Sequence, residues 1–334
     1  MDSSTSLSKP RVPAFALWLL ATALATWAAG ALYTVRLNPE LAFCRQGDRV
    51  KQAWLKKLER EQPYKIEVVG GSSCATTIIP EQMLAQYGLP VVNLGQGAGM
   101  GAKVLIRYGL ETLRPGDTLV IAIEPGLLTV PLKFEPHGIQ FCFAIGRPEL
   151  LRDPVWINWP SVLADLRPGS YHLCTLAGKI ALGEQLYRYR PSDWRPGGWQ
   201  EVTAHRPLER TPENPLKLSA DGRAWLAYVG DFCRERGARV TLVLPWTYCP
   251  PDRVETLRVQ NLRFLAQVAE IIPPLKDPRV GLHSVAEDFS DSILHLTPNG
   301  AVLRTAELAQ QIKAWDCWTA EELRKAAQAR QSGN

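Results

Sequence analysis

Hydrophobic and polar positions divide the chain into four stretches. Pro13–Tyr33 carries no charge for 21 residues. At about 1.5 Å rise per residue such a helix spans the apolar thickness of a bilayer. Residues 34–62 are charged, with helical spacing in Val50, Trp54, Leu55 and Leu58. From residue 63 short apolar runs alternate with helical stretches. Ile66–Val69, Val91–Leu94, Thr118–Ile123 and Val240–Leu244 read as strands, with Val280–Leu282 as a fifth. Their near-continuous apolarity suits strands covered on both faces. Pro80–Tyr87, Ala102–Thr112, a helix capped by Ser219, Leu257–Ile271 and Asn299–Ala314 read as helices. Residues 126–215 break the alternation with prolines, glycines and tryptophans, among them Trp156, Trp159, Trp194 and Trp199.

This order predicts an α/β domain with a doubly wound, mostly parallel sheet of flavodoxin-like type. The expected organisation is a cytoplasmic tail at 1–12, a transmembrane anchor at 13–33 and a stalk or entry helix at 34–62. The α/β domain follows at 63–318 with an insertion at 126–215, then a polar helix or tail at 319–334. A cleaved signal usually has a shorter apolar core, which favours an uncleaved anchor. Lys9 and Arg11 precede the run and Arg36, Arg45 and Arg49 follow it, a weak asymmetry. The expected location is the cell membrane, single-pass, with a periplasmic or extracellular domain.

The chain has 334 residues and a formal charge of +5. No dense basic block with interleaved aromatics occurs, which argues against nucleic acid as a partner. Seven cysteines lack zinc spacing, so no metal site is expected, and one or two disulfides would suit an exported domain.

Three segments carry candidate chemistry, each at the carboxyl end of a strand, where open α/β sheets place reactive groups. Gly70-Gly71-Ser72-Ser73 follows the first strand. A glycine turn there lifts a serine above the sheet as a nucleophile, unless the serines only cap the next helix. Asn93 opens the glycine-rich loop Gly95–Gly101, whose N–H groups could hold an oxyanion. It lacks the lysine and acidic partners of nucleotide loops. Asp291 stands four residues before His295 near a helix start, a spacing that lets a carboxylate orient an imidazole.

Taken together the segments resemble the SGNH/GDSL hydrolase superfamily, in a branch whose first block reads Gly-x-Ser. The resemblance covers about 66–125 and 240–312. It implies Ser72 as nucleophile, with Ser73 as the alternative one residue on. It implies His295 as base, and Asp291 as its acid with Asp288 as the alternative. Oxyanion donors would come from Ser72, Gly97, Ala98 and Gly99. Asn93 and Glu124 are candidate substrate contacts. Glu124 stands where the family's third block places an asparagine, which takes away one expected oxyanion donor. The implied activity is ester hydrolysis or O-acyl transfer without metal or organic cofactor, acting by analogy on acyl groups of envelope polysaccharide. The rival reading is a non-catalytic, membrane-tethered binding or assembly protein that kept the fold. The tryptophans of the insertion would either bind sugar rings or pack the insertion.

Overall fold

The computed structural model describes residues 12–152, 159–208 and 216–331. The N-terminal tail to residue 11, with Lys9 and Arg11, lies outside the described residues, as do Trp156 and the last three residues.

The uncharged run forms α1, Val12–Leu32, continued by a π-helical turn over Tyr33–Leu37. Ala14–Leu37 is the one helical stretch among the described residues long and apolar enough to cross a membrane. Asn38 caps α2, Pro39–Glu61, accepting from Glu40 N at 3.0 Å. Of the two readings, stalk or entry helix, the packing of this segment fits the second. Leu41, Phe43, Leu55 and Leu58 are buried, because an apolar stripe runs beneath its many charges and packs on the domain.

The main sheet holds β1 (Ile66–Val69), β2 (Val91–Asn93), β3 (Thr118–Ile121) and β4 (Arg239–Leu242), all parallel, in the order β2-β1-β3-β4. The helices alternate with them. They are α3 (Ser72–Thr77), α4 (Pro80–Tyr87), α5 (Gly101–Leu110), α6 (Gly126–Thr129), α7 (Pro136–Ala144), α8 (Trp159–Asp165), α9 (Ser170–Ala181) and α10 (Ala220–Glu235). Residues alternate between faces as the pleat requires. Val69, Leu119, Ile121 and Leu242 join one core cluster with residues of α2, α5, α7 and α10. Val68, Val91 and Val120 join the other with residues of α4 and of α12, Pro298–Ala314.

The expected fifth strand does not extend this sheet. Gly281 adopts φ 77° and Val280 φ 46°, which ends the extended run. Only β6, Leu282–His283, remains, and it pairs in parallel with β5, Thr247–Tyr248, in a separate two-stranded sheet. α11 is Val254–Val268, and α13, Ala320–Gln331, packs Leu323 and Ala327 into the core rather than trailing as a tail. The insertion is mixed. Ile139, Phe141 and Cys142 of α7 are core residues, whereas α8 and α9 lie largely at the surface. All seven cysteines are free thiols.

Candidate functional site

β1 ends in two glycines because side chains would collide there. A Cβ on Gly70 would overlap the Ala122 carbonyl and lie 2.7 Å from the Cys74 Cβ; one on Gly71 would overlap the Glu124 carboxylate. The turn leaves Ser72 at the start of α3, partly exposed. Ser73 faces inward, fully buried, and its hydroxyl has no hydrogen-bond partner. Of the two serines, Ser72 is the one with access to solvent. Cys74 alongside is buried, and burial pushes its thiol up to about 12, so it stays a thiol.

The Asn93 side chain is hydrogen-bonded within the protein. Its amide donates to Cys74 O and Ile78 O, both at 2.9 Å, while its carbonyl accepts from Gly95 N at 2.9 Å. Its carbonyl also accepts from Cys74 Sγ at 3.4 Å, and, fully buried, the residue ties α3 to the following loop. The oxyanion candidates are placed differently. Gly97, Ala98 and Gly99 stand at the surface in and before a 3₁₀ turn, and a Cβ on Gly97 would meet nothing within 4 Å. Gln96, just before them, is 2% exposed with neither side-chain atom hydrogen-bonded, and its N–H donates to Gly70 O at 3.0 Å.

The loop ahead of α12 carries the histidine. His295 Nδ1 donates to Asp291 Oδ1 at 2.7 Å, which leaves Nε2 to accept a proton. Asp288 is committed elsewhere: its Oδ2 lies 2.6 Å from His283 Nε2, and the His283 ring stacks on Trp246. No hydrogen bond joins Ser72 to His295 among the described residues.

Two side chains that show no sequence signal complete the pair. Tyr189, in the insertion, donates to Asp291 Oδ2 at 2.8 Å, and Arg188 reaches the same oxygen at 3.5 Å. Burial would raise the Asp291 carboxyl, but the His295 hydrogen bond and charge, then Tyr189 and Arg188, outweigh it and hold the group at about 2. Burial, then the Asp291 charge, pushes the Tyr189 hydroxyl well above its ordinary range, so it remains a donor. Tyr189→Phe is expected to lower any His295-dependent turnover by roughly tenfold, the scale of one charge-assisted hydrogen bond, with little change in KM. Steady-state kinetics check this.

The depressed Asp291 group also sets a pH dependence. A carboxylate lowered on folding contributes stability in full above its unfolded value, about 3.9, and loses it as pH falls through its folded value, about 2. The melting-temperature gap between wild type and Asp291→Asn should therefore hold from pH 7 to about pH 5 and close between about pH 4 and 2. A gap unchanged at the acid end would contradict this.

Glu124 follows β3 and is 8% exposed. Its Oε1 accepts from Ser73 N at 3.1 Å, and its Oε2 is buried without a partner. On its other side it lines a cavity of about 470 Å³ with Val130, Leu244, Leu257, Leu282 and Leu294. This largely apolar cavity sits at the carboxyl edge of β3 and β4. One wall is Ile293–Leu294, the two residues before His295. The tryptophans are less available. Trp194 is buried, stacked on Phe43 under the Lys51 ammonium, and Trp199 donates to Thr76 O at 3.0 Å. These two pack the insertion onto α2 and α3, with Trp199 half-buried.

No family model, curated protein or solved structure matches the chain. The geometry of the site therefore carries the functional reading.

Proposed function

We propose that the protein is a membrane-anchored serine ester hydrolase or O-acyltransferase of SGNH/GDSL type, held by α1 with its domain on the outer side of the membrane. The observation that carries this reading is the buried Asp291–His295 pair in a loop whose Ile293 and Leu294 share a cavity with Glu124, the residue that packs on the glycine turn before the accessible Ser72. In this mechanism Ser72 Oγ attacks an acyl carbonyl and its proton passes to His295 Nε2. Asp291 holds the Nδ1–H and stabilises the imidazolium. The N–H groups of Ser72 and of residues 97–99 face the oxyanion. Collapse of the tetrahedral adduct expels the alcohol, which takes the proton from His295. Water or an acceptor hydroxyl then releases the acyl group by the reverse steps. Contacts of this kind are commonly long before substrate binds. The cavity beside Glu124 would take an apolar acyl group, and O-acylated envelope polysaccharide remains the proposed natural substrate.

A fluorophosphonate probe tests the reading. It should label the full chain at Ser72, and Ser72→Ala and His295→Ala should each abolish labelling in folded protein. The rival reading, a tethered binding protein, draws on the missing Ser72–His295 hydrogen bond and on a carboxylate placed where negative charge would develop. Absence of labelling in folded wild type would favour it.

A further inference from the structure

The outer part of the insertion lies against α1. Trp27 Nε1 donates to Leu163 O at 2.8 Å. A Cβ on Gly30 would sit 3.3 Å from Pro168 Cδ. The Tyr33 hydroxyl is 3.1 Å from His172 Nε2. Spaced by three, Trp27, Gly30 and Tyr33 share one side of the helix. They occupy the last two turns of the uncharged run, and Trp27 lies about 9 Å of helical rise before Tyr33. Whatever depth α1 reaches there, α8 and the start of α9 reach beside it.

These two helices turn apolar side chains outward. Trp159 is 50% exposed, Leu163 44%, Leu173 46% and Ile180 62%, and Leu182, just past the end of α9, 74%. The inward side of α8 is satisfied by Val162, which is buried in the core. The 12 residues of α9 contain one lysine and no acidic side chain. A helix facing water carries polar residues on its outer side, and a contiguous apolar face marks a surface that something covers.

We propose that α8 and α9 lie in the headgroup–acyl boundary of the membrane beside α1, so that lipid covers this face. The inference rests on reading α1 as an anchor and does not depend on the hydrolase reading. Adjacency decides for lipid: α8 and the start of α9, with these exposed apolar side chains, touch the last two turns of the uncharged run through Trp27, Gly30 and Tyr33. Arg167, exposed and with its Cβ 3.4 Å from the Gly30 position, stands where a long cationic chain reaches headgroups. The insertion would thus act as an interfacial helix pair that seats the domain on the membrane.

The test uses the full chain in lipid nanodiscs containing spin-labelled phospholipid. Cys174 and Cys317, the two thiols not buried, are replaced by serine. A solvatochromic dye is then placed at Leu20→Cys in α1, Leu163→Cys in α8, Ile180→Cys in α9, or Arg60→Cys. Arg60 lies 21 residues beyond the start of α2, roughly 30 Å along the helix. The Leu20, Leu163 and Ile180 reporters should each lose most of their emission, with Arg60 unaffected. Quenching at Leu20, with Leu163 and Ile180 as bright as Arg60, would overturn the proposal and assign the face to another protein. No quenching even at Leu20 would overturn the anchor itself.

Discussion

Ser72→Ala is expected to lower kcat on an activated ester by about 10⁴-fold or more, the scale seen when a triad nucleophile is removed. Ser73→Ala should leave it within about tenfold, because Ser73 supplies no group that a substrate can reach. The contrast follows from burial. Ser72 opens α3 with solvent access, whereas Ser73 is fully buried with an unpartnered hydroxyl. Deleting that hydroxyl removes an unsatisfied buried group, a change that is neutral or stabilising by about 1 kcal/mol. The Ser73 N–H, which Glu124 accepts, is untouched by the substitution. Ser72→Ala should fold normally, since a partly exposed hydroxyl at a helix start fills little core. Activity assays paired with thermal melts separate the cases. Loss of turnover in Ser73→Ala with an unchanged melt would shift the nucleophile by one residue.

Gly70→Ala should destabilise the domain by about 3 kcal/mol or more, the upper range for overpacking. The added methyl overlaps the Ala122 carbonyl oxygen, and backbone directly after the central strand β3 cannot step aside as a flexible side chain does. Ala122 N itself donates to Val69 O at 2.8 Å, so moving that carbonyl also strains the β1–β3 ladder. Gly97→Ala is the control. Its Cβ enters open space and its φ is −64°, so stability should change by less than about 0.5 kcal/mol. Urea denaturation of both variants measures the difference. Equal midpoints would show that the turn relaxes more easily than the packing indicates.

How far the sequence revealed all this differs from element to element. The four sheet strands and α4 were legible because buried strands read as short apolar runs closed by glycine or proline. The Asp291–His295 pair was legible because both members lie in one loop, four residues apart. Tyr189 was not, since it arrives from a segment 102 residues away in which no period or motif marks it. A polar residue at a strand end such as Asn93 is ambiguous in sequence; only the backbone folded around it shows where its amide points. Val280–Leu282 looked like a strand because composition does not report the positive φ that ends the run. For α2 the sequence leaves stalk and entry helix both open, because its charges outnumber the narrow apolar stripe that buries it.

The nucleophile candidate and its dyad lie at opposite ends of the domain's sequence, 223 residues apart. At roughly 5–20 residues per second of synthesis, the chain bearing Ser72 exists for about 10–45 s before Asp291 and His295 are made. Through that interval the serine lacks the base that the proposed mechanism gives it. α12, which backs the Ser72 side of the sheet, comes later still, directly after the dyad. On the proposed mechanism, reactivity is thus scheduled by chain order: a nascent or C-terminally truncated chain that lacks the Asp291–His295 loop carries the serine in an inert form.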